Sequence, residues 1–136
     1  MNAQVKIDQL LLRLTPILDR EVLGLCVLDE AQLVQHLAHC RCIFREREGI
    51  TALLPTHLAE QAQLSVSEDY RQITLQFVHG VEAPGLTAII LRELADAGVQ
   101  ANVVSARYHE HILVRARDAR HAMQILYGIS NRLQYS

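Results

Sequence analysis

The chain has no tryptophan, and only two phenylalanines and four tyrosines occur in 136 residues. Proteins that hold single-stranded nucleic acid stack bases on aromatic faces, so this scarcity removes the platform such binding needs. A basic block is missing as well. Thirteen Lys and Arg are mixed along the chain with fifteen Asp and Glu, for a formal charge of −2. No segment gathers the positive charge that displaces counterions from a phosphate backbone, and no nucleic-acid partner is expected. No stretch approaches the roughly 20 apolar residues that cross a bilayer. Lys6, Asp8 and Arg13 break up the apolar residues near the amino terminus, which therefore does not read as a signal peptide. A cytoplasmic location without membrane contact is the expectation. The three cysteines, Cys26, Cys40 and Cys42, are odd in number, and Cys40 and Cys42 lie too close to pair with each other. They read as reduced thiols. Also absent are a Gly-x-Ser-x-Gly elbow, a phosphate loop and a dinucleotide fingerprint, so neither an enzyme nor a cofactor is expected.

What is present is the composition of a compact globular protein, half apolar and about a fifth charged. The length suits one ordinary domain or two very small ones that share a core. Ile7, Leu10, Leu11 and Leu14 recur at helical spacing and predict a helix over residues 5–13 that ends before Thr15-Pro16. Residues 22–28 form a short branched apolar run, a buried strand. Asp29 then caps a helix through Leu33, Val34 and Leu37. Residues 42–47 and 50–54 read as a hairpin turning at Glu48-Gly49, and Pro55 opens a helix over residues 57–63. Residues 71–79 alternate as a strand. A loop over residues 80–84 leads into a helix over residues 85–97, closed by Gly98. Residues 101–107 and 110–115 are strands joined at Tyr108-His109, and Asp118 caps a last helix through Ala122, Ile125 and Leu126.

By type this is a helix, then β-α-β-β-α twice, with Glu48-Gly49-Ile50 and Glu110-His111-Ile112 at equivalent places. The expected fold class is α+β: two ferredoxin-like βαββαβ units with antiparallel sheets joined edge to edge, because a bare sheet edge invites aggregation. Residues 1–20 form an amino-terminal helix and lead-in, residues 21–69 the first unit and residues 70–136 the second. Each unit shows three clear strands. The fourth strands are either short, at residues 64–67 and 132–135, or lent by one unit to the other.

Pro84-Gly85-Leu86-Thr87-Ala88, Leu94-Ala95-Asp96-Ala97-Gly98-Val99, Asn102-Val103-Val104 and His109-Glu110-His111-Ile112-Leu113-Val114 together resemble the ACT domain family of small-molecule-binding regulatory modules. With Phe44-Arg45-Glu46-Arg47-Glu48-Gly49-Ile50-Thr51 included, the chain is similar to a bacterial group of short tandem-ACT proteins. That group is similar in turn to the ACT pairs of aspartate kinases and of animal arginine sensors. The amino half is the degenerate one. The chain departs from the group at Glu110, where an aspartate is usual, and near His79-Gly80, where a serine is usual. The resemblance implies an amino-acid-binding regulatory part with no catalytic domain attached, forming homo-oligomers. It points to Val81, Glu82, Gly85, Leu86, Thr87, Asn102 and Val103 as ligand-binding residues, with Glu82 or Glu110 meeting a ligand amine. The residues themselves agree on one point: a loop that runs straight into a helix presents free amides to a carboxylate, and Gly85 lets a ligand approach the backbone.

Two clusters invite a metal and are read more simply. His36, His39, Cys40 and Cys42 carry suitable donors, but only His36 and Cys40 share a helix face and the spacing fits no zinc pattern. His109 and His111 face one side of a strand as half a site lacking a third ligand. No metal is expected at either. The alternative to a ligand-binding module is a structural or adaptor protein acting through a sheet edge or helix face.

Overall fold

The computed structural model describes residues 3–76 and 85–134. In chain order the elements are α1 (Ala3–Leu12), β1 (Thr15–Leu18), β2 (Leu23–Leu28), α2 (Glu30–His36), β3 (Cys42–Arg45), β4 (Ile50–Pro55), α3 (Thr56–Gln61), β5 (Asp69–Gln76), α4 (Leu86–Asp96), β6 (Ala101–Ser105), β7 (Glu110–Arg115) and α5 (Ala119–Gln134). Short 3-10 turns follow α2, at Leu37–His39, and precede α5, at Ala116–Asp118. The mixed α+β class and the twice-repeated βαββ order are as the sequence predicts. The chain divides into two compact units, Arg20–Arg71 and the remainder, so that residues up to Asp19 cluster with those from Gln72 onward.

The first unit is a complete βαββαβ motif with strand order β3-β4-β2-β5. β2 pairs with β4 along its whole length, Leu23 against Pro55 to Leu28 against Ile50. Its other edge meets β5 only at Leu23 and Gly24, opposite Tyr70 and Asp69. Alternation sends Cys26 and Leu28 from β2, and Ile50, Ala52 and Leu54 from β4, to one face. There they pack with Leu33 of α2 and Ala59 of α3. Gly24 is required by a close approach: a Cβ there would lie 2.4 Å from Cγ1 of Val66.

The second unit uses β5 again, now as its first strand, in the order β1-β5-β7-β6. Its fourth strand is neither of the segments expected from sequence. Residues 64–67 form no strand, and Arg132 belongs to the last turn of α5. The strand comes instead from the amino terminus, where Thr15 to Leu18 pair with Gln76 to Ile73. Thr15-Pro16 ends the helix before it, as expected, but also opens this strand. Proline is tolerated here because β1 is an edge strand. The Asp19 N–H donates to Gln72 O (2.9 Å), so by alternation Pro16 turns its nitrogen away from β5. The core of this unit sets Ile73, Leu75, Ile112 and Val114 of the sheet against Ile90 and Leu94 of α4 and Leu126 of α5. Ile7, Leu10, Leu11 and Leu14 from α1 and its end complete it, and Ser130 Oγ on α5 ties to Leu11 O at 3.0 Å.

Candidate functional site

The helix that follows the opening strand starts differently in the two units. At α2, Asp29 Oδ1 accepts from the Gln32 N–H (2.8 Å) and Gln32 Oε1 accepts from the Asp29 N–H (2.9 Å). This capping box satisfies orphan donors and lays a carboxylate against the positive end of the helix. At α4 the N-cap is Gly85, with φ 88° and ψ −6°, and no side chain among the described residues caps it. The first intrahelical bond runs from the Ile89 N–H to Gly85 O (3.0 Å), so the N–H groups of Leu86, Thr87 and Ala88 have no partner within the helix. A Cβ at Gly85 would meet nothing within 4 Å among the described residues. Amides without an intrahelical partner, at the positive end of an eleven-residue helix, favour an anion.

The other residues singled out from sequence fall around this point unevenly. Leu86 is buried in the core and offers only its main chain, whereas Thr87 is half-buried. Val103 and Glu110 share the helix-bearing face of the sheet, and Glu110 accepts a hydrogen bond from the Ser105 hydroxyl opposite it. Asn102, one residue from Val103, projects from the opposite face of edge strand β6 and is exposed. Gly85, Leu86 and Thr87 are therefore contiguous, Val103 and Glu110 lie on α4's side of the sheet, and Asn102 does not. Val81 and Glu82 lie outside the described residues.

The histidine and cysteine clusters have ordinary partners. His111 Nδ1 lies 3.0 Å from Thr74 Oγ1 and 3.4 Å from Gln72 Nε2, with the His109 ring edge-on at 6.3 Å between centroids. The Cys40 thiol donates to His36 O at 3.4 Å. Burial, and secondarily Cys40, pushes the Cys26 thiol above its usual range, and burial does the same to Cys40. Among the described residues no three potential metal-ligating side chains come together, and no helix is long and apolar enough to cross a membrane.

Comparison with known proteins bears on this architecture directly. Residues 3–71 match one family model described as an ACT domain, and residues 65–128 match another. The chain belongs to the ACT domain family. Its two matches make it a tandem ACT protein, and ACT domains as a class are regulatory, ligand-binding modules. Among solved structures, a Vibrio cholerae protein of unknown function, described as a possible transport protein, is 34% identical. Its TM-score is 0.85, and the match covers 95% of this chain and 99% of that one. An Agrobacterium tumefaciens protein is 17% identical with a TM-score of 0.72, over 86% and 89% of the two chains. The ligand-free regulatory subunit of aspartate kinase from Thermus thermophilus is 12% identical with a TM-score of 0.63, over 84% and 95%. At that identity the likeness is one of fold. A search of curated proteins found no match.

One feature of the first ACT unit escaped the sequence reading. A cavity of about 580 Å³ lies beside the outer edge of β2, lined by Leu25, Cys26 and Val27, by Gln32 and Thr51, and by the run from Gln63 to Ser67. No periodicity marks it, because its wall is an irregular segment. The one available signal was a short polar stretch after a helix, Ser65 and Ser67 flanking Val66.

Proposed function

We propose that the second ACT unit binds an amino acid or a related small carboxylate at the N-terminus of α4, and that the chain acts as a non-catalytic regulatory module. The observation that carries this reading is the contrast between the two helix starts. Where the first unit covers its helix with the carboxylate of Asp29, the second has Gly85 at the same place, with no capping side chain among the described residues. A ligand carboxylate supplies there what Asp29 supplies in the first unit. Glu110, on α4's side of the sheet, exchanges its Ser105 hydroxyl for a ligand amine, and Val103 adds apolar contact. Val81 and Glu82 join from the preceding loop, while Asn102 acts only through the β6 edge. Homo-oligomers in the cytosol belong to the same proposal.

The test is a thermal-shift panel of the amino acids at millimolar concentration. A ligand at about 100 times its Kd stabilises the native state by roughly 2.7 kcal/mol, a rise of several degrees. The expected result is a rise with one or a few amino acids that is lost in Thr87→Pro. Proline is tolerated in a helix's first turn and removes one of the exposed amides. A panel in which no amino acid moves the melting temperature contradicts the proposal.

A second reading, an adaptor acting through protein contacts, draws on one observation. Phe44 and Val27, both largely exposed, flank Thr51 in one cross-strand row of the first unit. A monomer by solution mass that captures no partner counts against it.

A further inference from the structure

The cavity in the first unit has a chemistry of its own, independent of the amino-acid reading of the second unit. Its volume, about 580 Å³, falls in the range of small-molecule sites. Leu25, Val27, Leu64 and Val66 make part of its wall apolar; Gln32 Oε1 is already engaged by the Asp29 N–H and the Thr51 hydroxyl by Glu46, so Gln63, Ser65 and Ser67 supply the neutral hydrogen-bonding groups. Among the described residues no Asp, Glu, Lys, Arg or His lines it. Its single titratable group is Cys26, and burial keeps that thiol protonated. The nearby helix start gives an anion nothing, since Asp29 already occupies it. The lining is half-buried to exposed, with only Cys26 buried, and it holds no countercharge, so an ion gains nothing there that a neutral polar group does not.

The main chain adds a directional signal. In β4, the reciprocal bonds of the hairpin between Glu46 and Gly49 fix the alternation, so that Thr51 and Leu53 turn toward β3, whereas Ile50, Ala52 and Leu54 turn toward β2. The Thr56 N–H bonded to Val22 O sets the same phase on β2. Gly24, Cys26 and Leu28 therefore bond to β4, and Val27 directs both its N–H and its C=O to the opposite edge. Pairing with β5 stops at Gly24, and Leu25 O accepts from the Ser67 N–H (3.3 Å) as the chain peels away. Val27 thus offers one donor and one acceptor, a strand's spacing apart, at the wall of a neutral, half-apolar cavity.

We propose that this cavity is a second binding site, for an uncharged amide-bearing small molecule with a branched apolar group, whose amide pairs with Val27 as a strand residue would. Ser65, Ser67 and Gln63 meet the remaining polar atoms, and Leu25, Leu64 and Val66 receive the apolar branch. Free amino acids, as zwitterions, are excluded from this site and belong to the other.

The experiment is an amide NMR titration of the full chain with N-acetylleucinamide, with N-acetylleucine of matched size, and with leucine. N-acetylleucinamide is expected to shift Val27, Gln63, Ser65 and Ser67 saturably, and to bind more tightly than N-acetylleucine. Two variants are expected to weaken it several-fold. Ser65→Tyr fills the cavity. Gln63→Gly removes a polar contact at a position whose φ of 57° suits glycine, so folding is not at risk. Equal or stronger binding of N-acetylleucine, saturable shifts centred away from β2, or no saturable shift with the neutral amide overturns the proposal. The amides of Gly85 and Thr87 are followed in the same spectra, and the second unit is tested separately by the thermal-shift panel, so failure at one site is distinguishable from failure at the other.

Discussion

Gly24 and Val66 offer the sharpest test of packing at the scale of single residues. A methyl group at Gly24 would sit 2.4 Å from a γ-carbon of Val66, a stiff branched side chain. Gly24→Ala should destabilise the first unit by about 1–3 kcal/mol, the usual cost of overpacking. Gly24→Ala with Val66→Ala should recover most of that loss, and a double-mutant cycle by urea denaturation measures the coupling. Cys26 makes a pH prediction. Its folded-state pKa is raised above the ordinary 9.0 by burial first and by Cys40 second. As pH rises the unfolded chain gives up this proton before the folded chain does. The contribution is therefore whole below about pH 9 and is lost as pH climbs through the folded value. Urea midpoints should fall more steeply above that pH in the native sequence than in Cys26→Ala, and an equal slope would show that burial at Cys26 is not what raises it. These positions were only partly legible beforehand. The unpaired thiols and the glycine at the start of α4 could be read from residue type and neighbours, whereas the demand on Gly24 depends on Val66, 42 positions away.

Among the elements, the strands and helices inside each repeat were readable because their signals are local: period-2 alternation in β5, the Asp29 cap of α2, the glycine after α4. The fourth strand of the second unit was not. Thr15-Pro16 carries a correct stop signal for α1, and nothing nearby shows that the next four residues pair with a strand some 58 positions on. Nor does any local pattern show that β5 serves twice, pairing with β2 at Asp69 and Tyr70 and with β1 from Ile73 to Gln76. The structure makes the amino terminus part of the carboxy-terminal unit. Removing residues 1–19 takes β1 from the edge of β5 and takes Ile7, Leu10, Leu11 and Leu14 out of the core. Four such side chains contribute about 1.5–3 kcal/mol each, a large part of the roughly 5–15 kcal/mol that holds a domain together. The truncated chain should lose hydrogen-exchange protection at Ile73 and Leu75. Retention of native protection there would mean that β1 and α1 are ornamental.

Taken whole, the molecule is a tandem of ACT units whose equivalent helices have diverged at one end, Asp29 in the first and Gly85 in the second. The tandem and the family were legible because a repeated element order survives even where residues drift. The difference between the two helix starts was not, since a cap is decided by which way a side chain turns. The same contrast underlies the two proposals, which send a carboxylate to the start of α4 and a neutral amide to the cavity of the first unit. The most direct measurement is a 15N-resolved titration of the full chain with the amino acid that gives the largest thermal shift, following the amides of Gly85, Leu86 and Thr87 beside those of Asp29 and Gln32. Saturable change at the first set with the second set still is the predicted result. Change at Asp29 and Gln32 instead, or at neither set, would contradict it.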